Sequence, residues 1–503
     1  MLKLRLLLLS LLLGGCATSL PQVTQQASYR LPAPSHSPLH QAFAPLVDEQ
    51  SGLSGVYPIS DGREALLIRL LAANQAVSSI DLQTYIYRGD DTGRALLWSL
   101  WQAAERGVRV RLLLDDMQSG KDDGLSMLNQ HPNIQVRLFN PFTHRQWRSL
   151  EMLTSFDRTN RRMHNKSMVV DATLAVTGGR NIGDEYFAAN QQVSFGDFDV
   201  MLLGPAVIET ASQFDRYWNS DYAIGVEHLI SQKEAISTSK VTREFADIIK
   251  QDQLKQQAYI GSLRDTPLVK HLSEETLPLY WGEIHVAADA PEKAAVQSDT
   301  PTLMVDALSH YFEDTKHDLL LVSPYFVPGD EGVNGLAELV KQGVRVQVLT
   351  NSLAATDVVA VHSGYEGYRQ PMLEAGIELW ETKRLPGLEP GAWNASSQAS
   401  LHAKTMVFDG KVVFVGSFNL DPRSAHINTE MGVFIHSDAL ATAVQAGLEG
   451  TLEQIAYKLS LEQGHLRWHD LETGTVLDSE PDAGFWRRFG AWFLQWLPIE
   501  DQL

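Results

Sequence analysis

The chain contains one long pattern twice, and that duplication restricts its fold more than any other feature. His164, Lys166 and Asp171 stand in "MHNKSMVVD", and His402, Lys404 and Asp409 stand in "LHAKTMVFD". Seven residues past each aspartate a glycine opens "GGRN" (Gly178 to Asn181) or "GSFN" (Gly416 to Asn419). Both copies follow His-x-Lys-x4-Asp-x6-Gly-[GS]-x-Asn. The agreement reaches beyond the motif: "GVRVRLLLDD" from Gly107 matches "GVRVQVLTNS" from Gly343, an offset of 236. "TYIYRGD" from Thr84 can be set against "PYFVPGD" from Pro324, an offset of 240, and the motif histidines are 238 apart. Nearly equal offsets in one order imply two copies of one unit, over 55–225 and 275–460, joined by a polar Lys/Gln-rich connecting segment at 226–275.

Within each copy, helical and strand patterns alternate. "EALLIRLLAANQAV" has helical spacing, "SSIDLQTYIY" reads as a strand, and "GRALLWSLWQAAERG" is a helix closed by Gly107 before the apolar strand "VRVRLLLD". In the second copy "GLAELVKQG" precedes "VRVQVLT", and "YRQPMLEAG" precedes "IELWE". Such alternation implies an α/β fold, each repeat a β-sheet with helices on both faces. Two copies imply a pseudo-twofold pair with one active site at the joint.

Residues i and i+2 of a strand share a face, so His164 and Lys166 point into the same space, and so do His402 and Lys404. Two cationic donors aimed at one point suit an anion better than a core. Two histidines meeting at one centre supply a nucleophile and a general acid. A nucleophilic imidazole needs its other nitrogen oriented by an acceptor. Asp199 in "FGDFDVMLLG" and Glu430 in "NTEMGVFI" are taken as that pair, with the choice of own or opposite copy left open. Asp171 and Asp409, five positions past each lysine at a strand end, are motif members expected to cap a turn or pair with a cation. No His/Cys/carboxylate cluster of metal-site spacing is present in the sequence, so no metal or other cofactor is expected.

Composition bears on partners and compartment. A net charge of −20 argues against a protein that coats nucleic acid, where lysine and arginine on phosphates dominate affinity. From His144 to Lys166, however, five arginines and one lysine face only Glu151 and Asp157, a net of +4 that could focus anionic headgroups. The single cysteine, Cys16, excludes an internal disulfide. It follows a basic tip (Lys3, Arg5) and an apolar run from Leu6 to Leu13 that is too short to span a bilayer. "LGGC" resembles a bacterial lipobox, which implies a signal peptide over 1–15 and acylation of Cys16. Residues 16–45, rich in Ser, Pro, Gln and Thr, are expected to be a flexible tether. The expected location is the bacterial cell envelope, lipid-anchored, with Ala17 after the cysteine favouring the outer membrane where there are two.

The chain is identified by its two His-x-Lys-x4-Asp motifs as resembling the phospholipase D superfamily. Within that superfamily "RLFNPF", "DRTNRRMHNKS", "GGRNIGDEYF", "TNSLAATDVVAVHSGY", "ASLHAKT" and "GSFNLDPRS" resemble bacterial cardiolipin synthases of the C type, over nearly everything after residue 45. The resemblance implies a phosphohistidine intermediate, with one imidazole attacking phosphorus and the other protonating the departing alcohol. It implies that Lys166, Lys404, Asn181 and Asn419 bind the non-bridging oxygens. It implies phospholipid substrates, phosphatidylglycerol with phosphatidylethanolamine as a second candidate, met at a membrane surface. The expected reaction is transfer of a phosphatidyl group to phosphatidylglycerol; the alternative is hydrolysis to phosphatidic acid, and a nuclease stands behind both. Gly179 departs from the second copy's Ser417, which bears on whether a hydroxyl there meets the phosphate.

The last 19 residues, "FWRRFGAWFLQWLPIEDQL" (485–503), carry Phe485, Trp486, Phe489, Trp492, Phe493, Trp496 and Leu497 at helical spacing. That stripe predicts an amphipathic aromatic helix, either packed on the protein's own core or lying in a membrane interface with Arg487 and Arg488 towards headgroups.

Overall fold

The computed structural model describes residues 20–118, 122–190, 195–230, 238–255, 257–295, 303–384, 400–497 and 500–503. The lipobox and Cys16 lie outside the described residues.

The first half begins with α1 (Pro38–Asp48) and β1 (Ser54–Ile59). Helix α2 (Gly62–Gln75), β2 (Ser79–Ile86), α3 (Asp91–Glu105), β3 (Arg109–Gln118), α4 (Asp122–Leu128) and β4 (Ile134–Phe139) then alternate. Short helices α5 (Arg148–Thr154) and α6 (Phe156–Thr159) lead to β5 (Ser167–Val170), β6 (Leu174–Gly178), β7 (Phe195–Gly196) and β8 (Asp199–Leu203). Helix α7 (Pro205–Trp218) and β9 (Ala223–Gly225) close the half. The connecting segment folds into α8 (Thr238–Lys255), α9 (Gln257–Arg264) and α10 (Pro267–Ser273).

The second half repeats the order: β10 (Tyr280–Ala288), α11 (Leu303–Asp314), β11 (Asp318–Val322), α12 (Gly329–Lys341) and β12 (Arg345–Asn351). Next come α13 (Val359–Glu366), α14 (Arg369–Glu374), β13 (Glu378–Thr382), β14 (Ser400–Leu401), β15 (Thr405–Phe408) and β16 (Val412–Gly416). It ends with α15 (Pro422–His426), β17 (Met431–His436), α16 (Asp438–Ile455), β18 (Ala456–Glu462), β19 (His465–Asp470), β20 (Thr475–Leu477) and α17 (Phe485–Leu494).

In the first half the sheet runs β1-β8-β6-β5-β2-β3-β4-β9, with β2, β3 and β4 parallel. The second runs β10-β17-β16-β15-β11-β12-β13-β18, with β11, β12 and β13 parallel. The topologies are equivalent strand for strand. Edge strand β1 pairs antiparallel with edge strand β10, Val56 opposite Tyr280, so the two sheets are continuous and neither leaves this edge open. Between the halves one apolar core draws Val169, Val200 and Leu202 from the first and Val415, Val433 and Ile435 from the second, with α7 and α16 beside it. Burying aliphatic strands from both halves in one layer fixes the halves against each other.

One expectation is corrected. The flexible tether is, from residue 20 on, a docked strap. Arg111, fully buried, donates to the Ser28 carbonyl at 2.7 Å, and Arg137 donates to Gln26 O at 3.0 Å. Gln25, Ser28 and Arg30 bond to Ala223, Asn219 and Asp215. Buried guanidiniums need acceptors, and backbone carbonyls of this Pro/Ser-rich segment supply them. The connecting segment, besides linking the halves, lays the apolar face of α8 (Val241, Phe245, Ile249) on the first half's helices.

The aromatic C-terminal helix is present, but its stripe does not enter the core. Trp486 is 79% exposed and Trp496 74%, while Ala491 alone is buried among its residues, against Leu353. Arg487 turns inward and donates to the carbonyls of Leu353 and Thr356, so it is not free for headgroups. Ahead of the helix, Glu480 accepts from Arg369, whose guanidinium also meets Glu381 at 2.7 Å and His362 at 2.7 Å.

Candidate active site

The motifs come together because each half's motif strand pairs with a segment of the other half. The His402 amide donates to Gly196 O at 2.6 Å, and β14 runs parallel to β7. The reciprocal exchange links His164 N to Thr429 O and Thr429 N to Arg162 O, both at 2.9 Å. These crossed pairings put the residue after each partner segment beside the opposite histidine.

His164 Nδ1 lies 2.9 Å from Glu430 Oε2, and His402 Nδ1 lies 2.6 Å from Asp197 Oδ2. A carboxylate only accepts, so in each pair Nδ1 carries a proton and Nε2 is the nitrogen left for the reaction. Burial lowers both imidazoles, taking His164 down to about 4, which keeps it neutral, and His402 below its usual value, while Glu430 and Asp197 are held below the usual carboxylate range by their histidines and the lysines. A neutral imidazole with a fixed tautomer is a competent nucleophile.

Each lysine folds back on its own histidine, the Lys166 and Lys404 ammoniums donating to the carbonyls of His164 and His402. The Lys404 nitrogen is also 3.0 Å from His402 Nδ1; a protonated Nδ1 cannot accept, so the ammonium is there a neighbouring charge. Burial lowers Lys166 to about 7 and Lys404 to about 8, and each is influenced by the other half's charges, Lys166 by Glu430 and Lys404 by Asp197. A bound anion would restore both charges, because it supplies the counter-ion that burial removed. Asn419 Oδ1 is buried with no hydrogen-bond partner among the described residues, whereas Asn181 Oδ1 accepts from Ile86 N at 3.1 Å and its side chain bonds Tyr186.

The assignment of Asp199 as an orienting carboxylate is corrected. Asp199 binds Arg69 at 2.8 Å and lies 3.6 Å from Arg180, wholly within the first half; the carboxylate on His402 is Asp197. Strand register explains the error. Gly178 lies opposite Asp199 and Gly416 opposite Gly432, so Glu430 is equivalent to Asp197. The signal was available: set "DFDVMLL" against "EMGVFIH" without a gap, and the two carboxylates align.

The Gly179/Ser417 difference follows from the same geometry. A Cβ at Gly179 would lie 2.2 Å from Asp197 Oδ1, so the first copy has no room for a hydroxyl. Ser417 Oγ instead donates to Glu430. Asp171 and Asp409 stay away from both histidines. Each sits at positive φ, 51° and 53°, and takes backbone amides: those of Val77, Ser78 and Ser79 for Asp171, and of Lys316, His317 and Asp318 for Asp409. They tie the motif strand's end to the neighbouring strand.

Sequence reasoning missed the aromatic walls. Tyr85 packs edge-on against His164 at 5.2 Å with the Lys166 ammonium 5.7 Å from its ring centre, while Tyr186 and Phe195 flank His402 at 5.4 and 5.3 Å. The expected basic patch at 144–166 is largely neutralised. Arg145 and Arg148 pair with Asp116 and Asp122, Arg158 with Glu151, and Arg162 lies 3.4 Å from Asp115. Asp115, Asp116 and Asp122 come from β3 and α4, outside the window in which the charge was counted.

A duplicated sheet with one histidine–lysine pair per half, closed by crossed carboxylates, belongs among the phospholipase D-type enzymes. The family model described as "Cardiolipin synthase, PLD-like domain" matches residues 68–218 and 308–451, once in each half. Cardiolipin synthase C of Escherichia coli (strain K12) is 38% identical over 470 residues, covering 92% of this chain and 99% of that protein. An uncharacterised Helicobacter pylori (strain ATCC 700392 / 26695) protein is 31% identical, over 90% of this chain and 91% of its own. Phosphatidylserine synthase of Haemophilus influenzae Rd KW20 shares the fold, with a TM-score of 0.58 and 12% identity over 92% of this chain and 100% of that one. The chain belongs to the cardiolipin synthase family, as a cardiolipin synthase-like phosphatidyltransferase.

Proposed function

We propose that the chain moves a phosphatidyl group from a phospholipid to the free glycerol hydroxyl of phosphatidylglycerol through a phosphohistidine on His164. The observation that carries this reading is the pair of buried imidazoles with Nδ1 held by a carboxylate from the opposite half. His164 Nε2 attacks phosphorus; the bond from phosphorus to the departing headgroup oxygen breaks, and His402, entering the step as the imidazolium, gives that oxygen its Nε2 proton. His402 then takes the proton of the incoming hydroxyl, whose oxygen displaces His164. His164, taken down to about 4, fits the nucleophile, and the closer carboxylate on His402 favours the imidazolium of the acid. Lys166 and Lys404 would neutralise the phosphate without a metal, and Asn419 and Asn181 would hold its non-bridging oxygens. Purified protein with phosphatidylglycerol, with and without phosphatidylethanolamine, should yield cardiolipin and a free headgroup alcohol. Phosphatidic acid as the main product would make the enzyme a hydrolase.

The bilayer partner is read from two exposed apolar patches at the edge where the histidines sit. Trp147 and Leu153 (81% exposed) project around α5, after β4, and the α17 stripe projects from its seat on α13, after β12. Tryptophan favours a membrane interface, and a lipid at Cys16 anchors the N-terminus without orienting the catalytic face on the bilayer. Changing Trp486, Trp492 and Trp496 to serine should weaken binding to phosphatidylglycerol-containing vesicles without altering thermal unfolding; unchanged binding would remove α17 from this role. The cell envelope, lipid-anchored through Cys16, is the proposed location.

A further inference from the structure

The two half-sites differ in the charges that stand outside their histidines. Tyr85 of the first half corresponds to Tyr325 of the second at the repeat offset of 240. Tyr85 packs on His164 and lies among Arg162, Arg423, Asp115 and Glu430, cations balanced by carboxylates. The charges acting most strongly on Tyr325 are carboxylates alone, Asp357 and Asp421. Asp421 is buried, and its Oδ1 accepts from Ser424 N at 2.7 Å as the cap of α15. Asp357 is exposed, and its oxygens share the Tyr325 hydroxyl at 3.0 and 2.9 Å.

Hydrogen bonds tie Asp357 to the half-site of His402. Strand β12 ends at Asn351, whose side chain clasps the residue before the histidine: Nδ2 donates to Leu401 O and Oδ1 accepts from Leu401 N, both at 2.9 Å. The loop that follows is tightly folded, with Thr356 N donating to Ser352 O at 2.9 Å and Thr356 itself buried. From α17, Arg487 donates to the Leu353 and Thr356 carbonyls and pins the loop just before Asp357. Tyr325 in turn precedes Phe326, which bridges to Leu420, the neighbour of Asn419. Burial lowers His402 and Lys404; among the charges that oppose it on both is Asp357, which also acts on Tyr186 beside His402.

The proposed reaction gives that position a use. In an in-line displacement the attacking and departing groups lie on opposite sides of phosphorus, so with His164 as nucleophile both alcohols, departing and incoming, lie on the His402 side. A glycerol headgroup carries a second hydroxyl next to the reacting one, and a carboxylate held in place accepts it as a charge-assisted hydrogen bond. The same carboxylate attracts an ammonium headgroup and repels an anionic one. A simple alcohol, its only O–H committed to His402, has no group left for it.

We infer that Asp357, held by Tyr325, recognises the alcohol exchanged at His402 by accepting the hydroxyl adjacent to the one that reacts. This rests on the proposed phosphatidyl transfer and adds to it the residue that selects the acceptor.

The test reads selectivity, because a loss of overall rate would arise equally from a disturbed His402. The full-length protein receives phosphatidylglycerol as donor with equal concentrations of 1,2-propanediol and 1-propanol, which differ by the one adjacent hydroxyl. The wild type should favour the diol by about tenfold or more, Asp357→Leu should bring the ratio of products near one, and Tyr325→Phe should lower it about threefold. Asp357→Asn, which keeps a neutral acceptor and the shape of the side chain, should fall between wild type and Asp357→Leu. Independently of turnover, His164→Ala protein should bind dihexanoyl-phosphatidylglycerol about tenfold more tightly than dihexanoyl-phosphatidylpropanol, a preference lost on adding Asp357→Leu. Ratios unchanged in Asp357→Leu, or lowered no further than in Asp357→Asn through a common loss of rate on both alcohols, would overturn the assignment. If the wild type makes only phosphatidic acid, the transfer reading fails instead. The departing side then decides, since hydrolysis of phosphatidylglycerol over phosphatidylpropanol should lose its preference in Asp357→Leu.

Discussion

The two half-sites use the same four residue types and differ in one pair of neighbours. On His402 the carboxylate is Asp197, packed so closely on Gly179 that a Cβ there would come within 2.2 Å of it. On His164 it is Glu430, one methylene longer, and Ser417 fills the space and donates to it. A short carboxylate needs a glycine and a long one accepts a serine, so Gly179/Asp197 and Ser417/Glu430 are matched sets. The same pseudosymmetry that pairs the motifs thus gives the two histidines unequal surroundings, as the proposed nucleophile and acid require.

The largest effect should come from breaking either half. His164→Ala and His402→Ala should each remove turnover, by at least about 10³-fold, with far-UV circular dichroism and thermal unfolding near wild type. Neither should rescue the other when mixed, unless the halves exchange between chains. Next, Asp197→Asn should lower kcat by roughly 10²- to 10⁴-fold by releasing the His402 tautomer. Asp199→Asn should instead lower the unfolding free energy, by about 3–5 kcal/mol, because it strands the Arg69 guanidinium. If Asp199→Asn damages kcat more than Asp197→Asn at equal stability, the crossed assignment is wrong.

Finer changes address the matched sets. Gly179→Ser should displace Asp197 and cost about 10²-fold or more in kcat, whereas Ser417→Gly should cost about tenfold, one hydrogen bond to a carboxylate that keeps its histidine. The pH profile of kcat/KM reports the free enzyme. Its acid limb should fall only near pH 4, where the neutral His164 becomes protonated. Its alkaline limb should fall as pH rises through about 7 to 8, where Lys166 and then Lys404 lose their protons, with His402, lowered by burial, contributing from below. A limb rising through that range would contradict the role of the lysines. The smallest effect is none: turnover in excess chelator should match turnover without it.

Much of this was legible in the sequence, and the failures share one cause. Duplicated motifs named both histidines, both lysines and the sheet architecture, because a period of two and a fixed offset survive in one dimension. Glu430 was found since it is the only carboxylate before its strand. Two aspartates two apart, Asp197 and Asp199, precede the first half's strand, and only register tells them apart, through Gly178 lying opposite Asp199. The strap at 20–37 resembled a linker by composition, while the buried Arg111 and Arg137 that hold it lie about a hundred residues away. The basic patch vanished for the same reason, as Asp115, Asp116 and Asp122 arrive from another element. Short-range pattern gave the chemistry; long-range pairing of charges had to be seen in space.

The central claim is that two unequal half-sites share one reaction, with the phosphatidyl group resting on the first. Rapid quenching of the enzyme with phosphatidylglycerol carrying a labelled phosphate, followed by peptide mapping under alkaline conditions, locates the trapped group directly. The account predicts label on the peptide containing His164, retained in His402→Ala and absent in His164→Ala. Label on His402 in the wild type, surviving in His164→Ala, would contradict it.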